Sequence, residues 1–225
     1  MQWSWSFVLS ILPDLLRGLV ITIEATLLAY PLALVLGLLL EAARRSGPRI
    51  ARVVSGVTQF IRGTPLLIQL YVIYYIFPDV GIRLPALAAG VLGMGVHYSA
   101  YAAEVFRAGI ESVPAGQWEA ARVVNLTKAQ TWRYVVVPQA VRPVVPSFAN
   151  YLIQLFKETP LLSSITILDL MGEARAVANF HYRYAEPMIL VGALFLIVSL
   201  IAGAGVRLLE RRLHLTTNHS LGRSA

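Results

Sequence analysis

Residues 18–40 read GLVITIEATLLAYPLALVLGLLL, an apolar run of 23 positions broken only by Glu24 and Pro31. A helix that crosses a bilayer needs about 20 predominantly apolar residues, so this stretch has the length of one crossing and predicts a chain built in lipid. The composition agrees. Of 225 residues, 57% are hydrophobic and 14% charged, with a mean hydropathy of +0.65, against roughly 45–50% apolar and about 25% charged in a soluble domain. That length accommodates roughly four to six crossings with short connections, and no further soluble enzyme domain. The chain has no cysteine, which excludes disulfides, thiolate metal sites and cysteine nucleophiles.

Working outward from residues 18–40, four more apolar stretches are expected to span: about 64–77, 84–103, 143–162 and 187–206. The second starts near Thr64 because Arg62-Gly63-Thr64-Pro65 interrupts it, and Pro78-Asp79-Val80-Gly81 makes a tight turn after it. The N-terminal MQWSWSFVLS lacks the positive region and small-residue cleavage site of a signal peptide; it reads as retained, with Trp3 and Trp5 at a membrane interface. The expected fold is all-α and polytopic, a single transmembrane domain over 1–225 with about five helices.

The net charge of +7 admits nucleic acid, a membrane surface or loop topology as its cause. Its distribution decides. The loop over 41–52, the loop over 104–142 and the C-terminal tail hold four, five and four Lys/Arg, while the other side holds Arg17, Arg83, Lys157, Arg175 and Arg183. By the positive-inside rule the N-terminus is outside and the C-terminus cytoplasmic, and no nucleic-acid partner is implied.

The cytoplasmic stretch 112–138 reads as two short helices. Ser112-Val113-Pro114 resembles a helix start, and Asn125 is placed to end the helix in the left-handed conformation. Thr127 to Gln130 has capping-box spacing, and Pro138 is expected to close the second helix.

Glu119-Ala120-Ala121, three residues, Asn125, nine residues, then Val135-Val136-Val137-Pro138 resembles the EAA signature of ABC-importer permeases, with Asn where that family has Gly and Val-x-Val where it has Ile-x-Leu. Arg62 to Gln69, Tyr101 to Ile110, Ser112 to Gln117 and Lys157 to Leu162 are similar to the polar amino-acid subfamily, extending to ectoine-like solutes, although Pro160 stands where Ser is usual. The resemblance covers most of 18–206. It implies a type I ABC importer permease fold in the bacterial cytoplasmic (inner) membrane, with two permease chains, homodimeric or related, around one path. It also implies a separate ATP-binding-cassette ATPase in two copies that uses ATP and Mg, and a periplasmic or lipid-anchored solute-binding protein. The loop residues Ala115, Gly116, Glu119, Ala120, Ala121, Asn125 and Leu126 would then dock the ATPase. This chain has no G-x-x-x-x-G-K-[ST] stretch to cradle phosphates, so no enzyme activity and no bound cofactor are expected of it.

Polar residues inside the spans are the candidates for a solute path. Ser147, Asn150, Gln154, Lys157 and Glu158 recur every three or four positions, most of them on one helical face. Charges at membrane depth normally face protein or a water-filled path, and a carboxylate and an ammonium held apart on one surface suit a small zwitterionic solute. Glu24, Arg62 and Gln69 complete the candidate path. The bland alternative is that Asn150 and Gln154 bond neighbouring helices while Lys157 reaches the interface. Gln59-Phe60-Ile61-Arg62-Gly63-Thr64-Pro65-Leu66-Leu67 is also echoed by Gln154-Leu155-Phe156-Lys157-Glu158-Thr159-Pro160-Leu161-Leu162; either two broken helices face one path, or nine positions match by chance or through shared helix-start chemistry. His97 is expected to pack or hydrogen-bond, and His181, His214 and His219 have no metal-ligand spacing; no metal is expected. The segment 169–186, with Phe180, Tyr182 and Tyr184, is expected outside, where it would meet a binding protein. The rival reading is a self-sufficient secondary transporter or channel with Glu24, Lys157 and Glu158 as an ion relay. An intramembrane enzyme has less support, since the sequence shows no nucleophile paired with a base.

Overall fold

The computed structural model describes the backbone of residues 3–212, which is helical with short connections and contains no strand. Helix α1, Trp5–Arg44, has 40 residues and is therefore about 60 Å long, twice the hydrocarbon thickness of a bilayer. It starts 13 positions before the apolar run, because the Ser4 hydroxyl accepts the Phe7 N–H at 3.3 Å and caps it. Pro13 and Pro31 lie inside without ending it. Trp3 and Trp5 meet edge to face at its start, 5.4 Å apart, and are 39% and 71% exposed.

Helix α2, Pro48–Gly63, is followed across Thr64 and Pro65 by α3, Leu66–Tyr71, which continues as a π turn (Val72–Ile76) and a 3-10 turn (Phe77–Val80). The axis bends by 99° at the Gly63–Pro65 break, the break expected from the sequence. Gly81, at φ 88°, ends the hairpin turn. Helix α4 is Ala86–Glu111, and α5, Ala115–Val123, projects after it.

The second helix of the loop does not close at Pro138. Helix α6, Lys128–Gln130, passes through a π turn at Thr131–Val136 directly into α7, Val137–Glu158. The wider turn shifts the hydrogen-bond register just ahead of Pro138, and the Gln139 side chain donates to the Val135 carbonyl at 2.9 Å. The missing proline N–H is thus absorbed rather than terminating the helix. Helix α7 ends at Glu158, and Thr159–Ile165 is a 3-10 segment terminated by Thr166 at φ 68°; this is the helix break expected at Pro160. Helix α8, Leu170–His181, and α9, Ala185–Arg212, complete the described chain. His214, His219 and the Arg223 of the tail count lie outside the described residues.

Helices α1 and α9 are long and apolar enough to cross a membrane unaided, and the bent α2–α3 pair adds a third span if taken as one. Helices α4 and α7 have 26 and 22 residues but carry the polar side chains considered below. Small residues bring α1 and α4 together: Ala25, Ala29, Ala33 and Gly37 lie on one buried face. A Cβ on Gly37 would stand 2.6 Å from the Ala102 Cβ, and one on Gly95 would stand 2.6 Å from Leu32. Such close approach is how helices associate where lipid removes the hydrophobic driving force. A second core joins Ile11 and Leu15 of α1 to Leu170 and Ala174 of α8 and Val191 of α9.

Candidate functional site

The two sequence echoes meet in space. Arg62, Gly63, Thr64, Pro65, Leu66 and Leu67 from the α2–α3 break, and Lys157, Glu158, Pro160 and Leu161 from the α7 break, line one cavity of about 620 Å³ together with His97 and Tyr101 of α4. Each break carries a Thr-Pro pair: Thr64 is extended, as the residue before a proline prefers, whereas Thr159 keeps helical angles and α7 tightens there into the 3-10 segment. Gln69 holds the first break: its amide donates to the Ile61 carbonyl at 2.8 Å and to the Thr64 hydroxyl at 2.7 Å. Its carbonyl oxygen lies 3.2 Å from His97 Nδ1. Gln69 therefore fastens the wall and is not among the residues lining the cavity.

The Glu158 carboxylate stands beside Tyr98 and His97 of α4. Among the described residues, neither Lys157 nor Glu158 belongs to an ion pair. Arg62 lies over the Tyr101 ring at 5.5 Å, a cation–π contact. Tyr101 belongs to an aromatic group with His97, Tyr98 and Tyr151, whose ring centroids are 5.3–6.3 Å apart. Asn150, Gln154 and Lys157 are exposed in the single chain, so its own helices do not use them as interhelical contacts. Glu24 is also exposed, on α1, and does not line this cavity. A second cavity of about 560 Å³ lies beyond Arg62, lined by Glu104, Arg107, Gly109, Pro143, Val144 and Ser147.

At the projecting helix the expected local geometry is found, apart from its start, where Pro114 rather than Ser112 is the cap residue. Asn125 has φ 56°. Leu126 N–H bonds the Ala121 carbonyl and Asn125 N–H the Arg122 carbonyl, both at 3.0 Å, the Schellman arrangement that satisfies the last turn. Thr127 and Gln130 form the capping box. Ala115, Gly116, Glu119 and Ala120 are exposed, and a Cβ on Gly116 would meet nothing within 4 Å. The opposite side is anchored: Ala121 is buried, and Trp118 stands edge to face against Trp132 at 5.6 Å. The exposed side is therefore a shallow, small-residue surface on a fixed base.

Residues 31–215 match the family described as the binding-protein-dependent transport system inner membrane component. The chain belongs to this family. It is 39% identical over 206 residues to a probable amino-acid ABC transporter permease protein of Sinorhizobium fredii, covering 91% of this chain and 89% of that one. An L-cystine transport system permease protein of Bacillus subtilis is 35% identical, with 89% and 87% covered. Among solved structures, an amino acid ABC transporter crystallised with histidines superposes with a TM-score of 0.89 at 36% identity, covering 94% of this chain and 100% of that one. The chain is thus a membrane-embedded permease subunit of an ABC transporter.

The sequence reading missed an ionic cluster at the C-terminal ends of this permease's α1 and α4. Arg44 Nη2 donates to Glu104 at 2.8 Å and to the Thr58 hydroxyl at 3.3 Å, Arg107 donates to the other Glu104 oxygen at 2.8 Å, and Arg45 donates to Glu41 at 2.7 Å. Burial pushes the Glu104 carboxyl up, but hydrogen bonds from Arg44 and Arg107 outweigh this and hold it below the ordinary glutamate value. Arg44 and Arg45 were read only as loop charges for topology. A signal was available: Ala25, Ala29, Ala33, Gly37 and Glu41 recur at intervals of four, so Glu41 continues the small-residue face toward α4.

Proposed function

We propose that this permease translocates a polar amino acid or a similar small zwitterion into a bacterial cell, as the membrane-spanning subunit of a type I importer in the cytoplasmic membrane. Residues 1–225 form one transmembrane domain of five crossings, N-terminus outside and C-terminus cytoplasmic. Two permease chains, identical or related, enclose the path. Two copies of an ATP-binding-cassette ATPase, which alone bind ATP and Mg, dock on Ala115, Gly116, Glu119, Ala120, Asn125 and Leu126, while Ala121, expected at the same surface, is buried on the opposite side of α5 and seats that helix. A periplasmic or lipid-anchored binding protein delivers solute from outside, against the α8 side.

The observation that carries the solute assignment is the meeting of Arg62, Lys157 and Glu158 at one cavity between two Thr-Pro breaks. A zwitterion presents a carboxylate and an ammonium, and this wall offers cations and a carboxylate with no ion-pair partner among the described residues. Gln69 shapes that wall, and Asn150 and Gln154 extend it along the exposed face of α7 toward the second chain. Glu24 contributes to the path only through contact with that second chain.

Purification of the tagged permease from native membranes tests this reading. The expected result is co-purification of an ATPase, a second permease copy and a solute-binding protein whose ligand is an amino acid or related zwitterion. Uptake by the permease alone in vesicles, driven by an ion gradient and indifferent to ATP, would overturn it.

A further inference from the structure

Glu41 is a charged residue with 1% of its surface exposed, and nothing in solute binding or ATPase docking uses it. One of its oxygens accepts the Arg45 Nε–H at 2.7 Å. The other lies 3.7 Å from Arg44 Nε, and both of these atoms are buried without a hydrogen-bond partner. A buried acceptor and a buried donor, complementary and standing just beyond hydrogen-bond distance one turn apart on α1, form a slack link that a small side-chain rotation would close. On the far side of the slack, Arg44 grips Glu104, and Glu104 grips Arg107; both of these last residues line the inner cavity.

The near side leads to the projecting helix. The Arg45 guanidinium lies over the Trp132 ring, 5.8 Å from its centroid, and Trp132 meets Trp118 of α5 edge to face. Arg45 caps the C-terminus of α1, where a cation is favoured by the helix dipole. That role alone requires neither a buried carboxylate partner nor a ring beneath the guanidinium. The combination places one side chain between the base of the ATPase-facing helix and the α1–α4 seam.

We infer that Arg45 is the positioning residue that transmits displacement of α5 to the solute path, by drawing Glu41 onto or away from Arg44 and so moving the Glu104–Arg107 pair that lines the inner cavity. This rests on the importer reading above. An α5 that rises or falls with its ATPase carries Trp132 with it, and Arg45 follows the ring. The Glu41–Arg44 gap gives the cluster two arrangements, open and closed, which is the discrete element a coupling route requires.

The absence of cysteine makes the test direct. Ser147→Cys places one thiol on this chain at the inner cavity, and its alkylation by N-ethylmaleimide is read by the chain's mass in the purified full complex. The rate is compared at rest and after trapping with ATP and vanadate. With Arg45 present the two rates should differ by about fivefold or more. With Arg45→Gln the ratio should fall to less than about twofold while the complex still hydrolyses ATP, and Arg45→Lys, which keeps the cation, should recover part of the difference. A parental ratio in Arg45→Gln overturns the proposal. Should that variant not assemble, Trp132→Leu, which keeps apolar bulk and removes the ring, decides by the same ratio. If the parent itself shows no ATP-dependent change, the importer reading fails and this proposal with it.

Discussion

Asp169 shows how a single residue can be needed and costly at once. Its Oδ1 accepts the Gly172 N–H at 2.9 Å and caps α8, while Oδ2 is buried without a partner. Burial pushes this carboxyl up to about 6. A raised carboxyl means the folded state holds the proton more tightly than the unfolded one, so its contribution to stability is complete below 3.8 and is lost as the pH rises through about 6. Asp169→Asn keeps an N-cap acceptor and should flatten that stretch of a melting-temperature profile measured in detergent; an unchanged slope contradicts this account. Glu104 has the opposite sign. Its stabilisation is present above 4.5 and lost as pH falls through its lowered folded value, and Glu104→Gln should remove that acid-side loss along with some stability at neutral pH. Asn125, at φ 56°, was legible from sequence because so few side chains accept that backbone. Asn125→Val should cost about 1–2 kcal/mol in unfolding experiments and weaken ATPase co-purification, whereas Asn125→Gly should do neither.

At the scale of the element, hydropathy marked where helices lie better than where they end. The 18–40 run is inside α1, but α1 begins at Trp5 because Ser4 caps it and runs on to Arg44, where a turn leads to an extended Gly47 ahead of Pro48. Pro138 misled as well. A proline need not break a helix where its lost hydrogen bond is made good, and here the preceding π turn and Gln139 absorb it. At Pro65 and Pro160 the carbonyl that proline leaves free is also taken, by Thr64 and Gln69 at Ile61 and by Thr159 at Phe156; the chain bends at Pro65 because Thr64 is extended, and at Pro160, where Thr159 stays helical, α7 tightens into a 3-10 segment. The α1–α4 contact depends on the absence of side chains, so Gly37→Val, which must displace Ala102, should destabilise the permease by about 1–3 kcal/mol. Denaturant unfolding in detergent measures it, with Gly56→Ala, where a Cβ meets nothing within 4 Å, as the neutral comparison.

For the whole molecule, Arg62→Ala and Lys157→Ala should each lower solute uptake about tenfold or more, on the scale of a lost charge-assisted hydrogen bond, with the complex still assembled. Normal uptake by either variant would remove the shared-cavity assignment. The sequence by itself determined that the chain is helical and membrane-embedded, that it belongs with ABC-importer permeases, where the projecting helix ends, and that two Thr-Pro segments echo each other. These follow from local rules: apolar length, backbone preference before proline and in the left-handed region, and motif spacing. Only the tertiary structure decided that the two echoes, about 95 residues apart along the chain, wall one cavity with His97 and Tyr101, and that Gln69 fastens that wall from behind. It also decided that Arg44 and Arg45 are partners of the half-buried Glu104 and the buried Glu41 rather than free loop charges. Hydropathy and charge counts assign each residue to a side of the membrane; partners are set by which helix faces approach, and that depends on small residues and bends distributed over α1, α2, α4 and α7 together.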